Sequence, residues 1–145
     1  MQKKLILCLE KNKGTMFLGK RQSKDRVLNE RLLQIVGNSI LWVSEYRSEF
    51  FEPSESLVID NDYKNKAERN DYCFVEDKGY DLSYVDEIIL CLWNRRYPSD
   101  QFFDIDIKGN SFKKVSTEKI VGSSHDKITI ETYKKGWLKW DFLKE

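Results

Sequence analysis

Apolar residues follow two rhythms along this chain. In SKDRVLNERLLQIVGN, Val27, Leu28, Leu32, Ile35 and Val36 recur at helical spacing. Ser23 is a usable N-cap, Asp25 sits in the first turn and Gly37-Asn38 supply a stop, so this segment reads as the clearest helix. Elsewhere the rhythm shortens. Leu5 to Leu9 and Met16 to Leu18 flank the turn-prone Asn12-Lys13-Gly14 and predict a hairpin. SILWVSEYR reads as a strand, SEFFEPSES as a loop broken by Pro53, Leu57 to Asp60 as a brief pairing segment, and NDYKNKAERND as an exposed connector. YCFVED, EIILCLWN, QFFDIDI, SFKKVS and KITIETYKK are five further strand candidates. Glu87 to Trp93 is nearly all apolar and suits a central strand buried on both faces, and TEKIVG suggests a helical turn. Trp137, Trp140 and Leu143 suit a short C-terminal amphipathic helix.

These elements predict an α+β fold in a single domain spanning residues 1–145. A mainly antiparallel sheet of five to seven strands would be covered by one long N-terminal helix and a short C-terminal helix packed on it. Met16 is a second candidate start, which would make residues 1–15 an upstream extension. At 145 residues the chain can bury roughly 68–70% of its unfolded surface without metal or disulfide staples. Its composition is that of a globular protein, not a disordered or fibrous one.

The three cysteines, Cys8, Cys73 and Cys91, lie in apolar contexts without Cys-x-x-Cys spacing. They read as buried thiols in a reducing cytoplasm, with one exposed regulatory thiol as the alternative. The start MQKKLILCLE imitates a signal peptide, but its apolar run ends at Glu10, short of the 7–15 residues such a region needs. No stretch approaches the ~20 apolar residues of a membrane span. The expected location is cytoplasmic.

A net charge of +1 conceals an asymmetry. Residues 1–44 hold nine basic and three acidic side chains, a balance of +6; residues 45–106 hold seven and sixteen, −9; residues 107–145 hold nine and five, +4. Solvated surface neutralised across the fold is the plain reading, and a negative patch that steers a basic partner is the sharper one.

Candidate chemistry is sparse. Ser123, Ser124, the only histidine His125 and Asp126 are adjacent, whereas catalytic triads are assembled from separate segments. Their expected role is turn hydrogen bonding before the strand Ile128 to Tyr133, and a general-base His125 cleaving RNA is the alternative. No zinc cage, EF-hand loop or phosphate-binding glycine loop is present, so no metal and no cofactor is expected. Asp100 followed by Asp106-Ile107-Lys108 resembles the restriction-endonuclease pattern of an aspartate and then acidic-x-lysine on a strand. That resemblance implies carboxylates holding magnesium and a lysine assisting the attacking water. Lys20, Arg21, Lys24, Arg26 and Arg31 form a basic stretch that could meet phosphates, diluted by Asp25 and Glu30 and lacking an aromatic platform.

The acidic middle is the remaining signal. Glu76, Asp77, Tyr80, Asp81, Tyr97, Asp100, Asp104 and Asp106 combine carboxylates with aromatic anchors, a chemistry suited to a groove built for phosphates. If Phe103, Ile105 and Ile107 face the core, Asp104, Asp106 and Lys108 project together on the other side. LWNRRYPSDQFFDIDI and GSSHDKITIETY resemble segments of bacterial immunity proteins that neutralise polymorphic or contact-dependent growth-inhibition nuclease toxins. The resemblance implies a non-catalytic binding protein whose partner is a cognate protein toxin, a basic nuclease. A small nuclease using Asp100, Asp106 and Lys108 with magnesium, or His125 without it, is the alternative, and a nucleic-acid-binding module is a third.

Overall fold

The computed structural model describes residues 3–45, 51, 53–75 and 82–136. Among the described residues ten strands and two α-helices follow one another: β1 (Lys3–Leu9), β2 (Gly14–Phe17), β3 (Lys20–Arg21), α1 (Arg26–Val36), β4 (Leu41–Val43), β5 (Leu57–Ile59), α2 (Tyr63–Lys66), β6 (Tyr72–Phe74), β7 (Val85–Leu92), β8 (Gln101–Phe102), β9 (Phe112–Ile120) and β10 (Ile128–Lys135). Seven strands form one sheet in the order β5-β4-β6-β1-β7-β10-β9, and β3-β2-β8 form a small second sheet.

The large sheet is mixed. β5, β4, β6, β1 and β7 run parallel to their neighbours, and only the β7-β10 and β10-β9 ladders are antiparallel. This corrects the expected mainly antiparallel α+β arrangement: the fold is α/β. The reason lies in the connections. Parallel strands need long crossovers, and the chain between β1 and β4 carries α1, while that between β5 and β6 carries α2. Burial agrees, because the apolar runs of β1 and β7 are covered on both faces. One face packs Ile6, Cys8, Ile89 and Cys91 beneath Leu28, Leu32 and Val36 of α1. The other packs Leu5, Leu7, Ile88 and Leu90 against Tyr63, Ala67, Phe103 and Phe112. All three cysteines are buried thiols.

Four local expectations also change. The turn after β1 closes through Glu10 N to Gly14 O and Lys13 N to Glu10 O, but β2 then pairs with β3 and β8, so β1 and β2 form no hairpin ladder. The supposed connector NDYKNKAERND contains α2, whose Tyr63 and following Ala67 are buried in the core. TEKIVG is no helical turn, because β9 continues to Ile120 against β10. QFFDIDI pairs only at Gln101–Phe102; beyond it Phe103, Ile105 and Ile107 pack inward and Asp104 and Asp106 outward without a ladder. The C-terminal helix expected around Trp137 to Leu143 lies outside the described residues. β1 is the middle strand of seven, so a polypeptide beginning at Met16 would lack the element on which the sheet is built. No described helix is long and apolar enough to cross a membrane.

Candidate active-site cavity

Two buried carboxylates organise the carboxyl edge of the sheet. The first is Asp25, 1% exposed, which caps α1 in place of the expected Ser23. Its oxygens accept from the backbone N–H groups of Val27, Leu28, Ser123 and Ser124 and lie 3.0 Å from His125 Nδ1. Burial pushes this carboxyl up, but the donors from Ser124, Ser123, His125 and Leu28 outweigh it and hold Asp25 well below the usual carboxylate range. His125 Nδ1 faces Asp25, and Nε2 lies 2.9 Å from the Tyr97 hydroxyl and 3.0 Å from that of Ser23. The ring, 3% exposed, stacks on Trp93 with centroids 4.5 Å apart. Gly122 makes the approach possible, since a Cβ there would overlap the Asp25 carboxylate.

Ser23, His125 and Asp25 therefore stand in the order of a nucleophile, a base and an orienting acid, brought together from two distant segments. The surroundings argue for architecture. Arg26 N donates to Ser123 Oγ, and Val27 and Leu28 N to Asp25, so the first N–H groups of α1 are engaged and offer no oxyanion hole. Tyr97 shares Nε2 with Ser23. The cluster is a clamp that ties the start of α1 to the turn before β10.

The second carboxylate is Glu10, 3% exposed, at the carboxyl end of β1. Its Oε2 accepts from Asn12 N at 2.6 Å and Gly14 N at 2.7 Å. Oε1 is buried without a hydrogen-bond partner among the described residues. The turn that holds it is tightly made: Lys13 adopts a φ of 67°, and a Cβ at Gly14 would overlap the Ser99 hydroxyl and crowd the Glu10 carboxylate. Lys11 N donates to Arg95 O and Trp93 N to Leu9 O, so this turn and the exit from β7 are bound side by side.

Glu10 lines a cavity of about 470 Å³ at the carboxyl ends of β1 and β7, within the range of small-molecule sites. Leu9, Leu90, Leu92, Phe103, Ile105 and Ile107 provide apolar walls, and Lys11, Lys13, Asn94, Lys108, Asp106, Glu131 and Tyr133 complete the lining. Tyr133 Oη donates to Glu131 Oε1 at 2.8 Å, and Lys114 Nζ lies 2.8 Å from Oε2 of the same carboxylate. Burial and then the Glu131 contact push the Tyr133 phenol up to about 12, so it stays protonated. Among the described residues no group of three or more His, Cys, Asp or Glu could hold a metal ion.

The sequence-predicted residues are dispersed. Glu76, Asp77, Tyr80 and Asp81 lie outside the described residues. Tyr97 turns its hydroxyl inward onto His125. Asp100 Oδ2 accepts from Leu18 N, and Asp106 Oδ1 accepts from Gly109 N, so both serve turns. Asp104 is exposed, and of the expected stripe only Asp106 and Lys108 line the cavity. In the basic stretch, Arg26 pairs with Glu30, and Arg31 holds both oxygens of Glu118. Glu10 was missed; its one signal was a lone acid between an apolar run and an Asn-Lys-Gly turn.

No family model and no curated sequence matches the chain. Among solved structures it is similar to a dihydrofolate reductase from Enterococcus faecalis, described as complexed with NADP(H) and RAB-propyl. The two superpose with a TM-score of 0.63 over 92% of this chain and 96% of that chain, at 13% identity. This likeness overturns the immunity-protein resemblance and with it the non-catalytic reading, the toxin partner and the nuclease alternative. In place of the α+β arrangement that the element pattern suggested, the chain has a dihydrofolate-reductase-like α/β fold.

Proposed function

We propose that this chain is an oxidoreductase that binds a reduced nicotinamide dinucleotide and a small flat substrate at the carboxyl edge of its sheet. The observation that carries the reading is the cavity at the ends of β1 and β7, since open α/β sheets bind ligands outside the carboxyl ends of their strands. The fold likeness supports it, because the similar reductase is described as holding NADP(H).

The residues present fit such a coenzyme in an uneven way. Six apolar side chains suit a planar ring. The backbone donors that often cradle a pyrophosphate are engaged elsewhere: those of α1 by Asp25 and Ser123, those of the β1 turn by Glu10. Phosphates would instead meet the exposed cations of the two neighbouring turns, Lys11 and Lys13 after β1 and Arg95 and Arg96 after β7. When bound, the coenzyme supplies a hydride. The chain excludes water with its apolar walls and keeps the Tyr133 hydroxyl protonated and hydrogen-bonded to Glu131. Three buried thiols suit a reducing, cytoplasmic setting.

Titration of the purified chain with NADPH and NADH, followed by calorimetry, tests this. The expected result is binding that weakens steeply as salt rises, because exposed side-chain cations are screened within about 8 Å at physiological ionic strength. The variant Lys13→Ala should weaken it further, roughly three- to tenfold. Failure of both coenzymes to bind at millimolar concentration and low salt would sink the proposal.

A further inference from the structure

We propose that Cys8 and Cys91 form a redox switch: a peroxide joins them in a reversible disulfide that ties β1 to β7 beneath α1. Two of the three cysteines stand directly opposite each other, because Cys8 is the register partner of Cys91 in the parallel β1-β7 ladder. Both side chains belong to the apolar layer under α1, so they leave the sheet on the same face. Neighbouring strands lie about 4.8 Å apart, inside the roughly 4.4–6.8 Å between Cα atoms that a disulfide spans. Cys73 is in register with Leu5 and packs in the layer on the other face, so it is no rival partner for either.

Access sets the order of events. Cys8 is 7% exposed and Cys91 is completely buried, so the oxidant meets Cys8 first. The Cys8 sulfur attacks one oxygen of the peroxide, the O–O bond breaks, and a sulfenic acid forms as one water leaves. The Cys91 sulfur then attacks that sulfur: the S–S bond forms, the S–O bond breaks, and the oxygen leaves as a second water with the Cys91 proton. Two thiols have lost two hydrogens, and one peroxide has become two waters. Side chains standing abreast on adjacent parallel strands must draw together to bond, which strains the bridge and makes it easily reduced, as a regulatory disulfide in a reducing compartment has to be. The tie falls one residue before Leu9 of β1 and Leu92 of β7, which both line the cavity, so oxidation shifts the cavity floor.

The test treats the intact, folded chain with hydrogen peroxide and follows it by intact mass and peptide mapping. The expected product has lost two hydrogens, carries one bridge joining Cys8 and Cys91, and returns to the dithiol with reduced glutathione. Cys73→Ser should behave as the wild type, whereas Cys8→Ser and Cys91→Ser should form no bridge. A bridge through Cys73, oxygen added to the thiols without a bridge, or a bridge that forms only after urea unfolds the chain would overturn the proposal. The wild-type map decides the matter even where a serine variant does not fold. Amide NMR of the oxidised chain reads the consequence: shifts should reach Phe103 and Ile105, which line the cavity from outside both strands, and shifts confined to β1 and β7 would sink the switch. NADPH takes no part in these measurements, so its failure to bind would remove the coenzyme reading alone.

Discussion

Asp25 and Glu10 are both buried carboxylates, both placed at the carboxyl edge of the sheet, and both gather backbone N–H groups from a turn. They differ in what is left over. Asp25 spends both oxygens, on four N–H groups and His125. Glu10 spends one and keeps the other. A saturated buried acid joins segments, whereas Glu10 keeps one buried oxygen without a donor among the described residues. Position on the sheet edge is therefore a poor guide to function here, and the tally of donors at each oxygen is a better one.

The largest effect expected from that contrast is on Asp25→Ala. Truncation strands His125 Nδ1 and four backbone N–H groups in a buried place and removes the cap of α1. Loss of a buried, hydrogen-bonded charge of this kind costs about 3–5 kcal/mol. Urea denaturation measures it, and a change below about 1 kcal/mol would show that the clamp contributes little. Gly122→Ala attacks the same clamp through space: the new Cβ overlaps the Asp25 carboxylate and crowds the His125 carbonyl, for about 1–3 kcal/mol. Its denaturation midpoint in urea should drop accordingly.

Acid should weaken the Asp25 clamp. The Asp25 carboxyl is depressed in the folded chain, so its contribution is fully present above its unfolded value of about 3.9 and is lost as pH falls from there towards the lower folded value. Wild-type stability should therefore decline below about pH 4. Asp25→Asn cannot titrate, so it should start less stable and show a shallower decline over the same window. Parallel slopes for the two proteins in acid would remove the clamp from the list of pH-sensitive contacts.

Some of this was legible in the sequence. The helix at Arg26–Val36 follows from Leu28, Leu32 and Val36 at one face, and most strands fall on the β-branched and aromatic runs. Its cap was not, because Ser23 and Asp25 are both good caps and only the folded chain shows Asp25 reaching Val27 and Leu28. Strand direction was misread. LILCL and IILCL are continuous apolar runs, the signature of parallel strands covered on both faces, and their pairing, with Cys8 opposite Cys91, spans most of the chain. The clamp was invisible for a similar reason: His125 stands 100 residues from Asp25. The charge imbalance of residues 45–106 described composition over a window, whereas Asp100 uses its carboxylate on the distant Leu18 N–H and Asp106 on its own local turn. At 13% identity the likeness of fold could not be read from shared residues.

The smallest effect on stability is expected from Glu10→Gln, and it is the sharpest use of the contrast. A glutamine oxygen can still accept from Asn12 and Gly14, while the amide places a neutral N–H where a buried carboxylate oxygen had no donor. Removing an unsatisfied buried charge offsets the weaker hydrogen bonds of a neutral acceptor, so the net change should stay within about 1 kcal/mol of zero in either direction. Asp25→Asn has no such compensation, because both of its oxygens were in use, and it should cost several times more. Measured side by side in urea, a Glu10→Gln loss as large as that of Asp25→Asn would mean that Glu10 is a second clamp and that its spare oxygen is satisfied in solution. A near-neutral Glu10→Gln would tie stability to Asp25 and leave Glu10 outside the clamp.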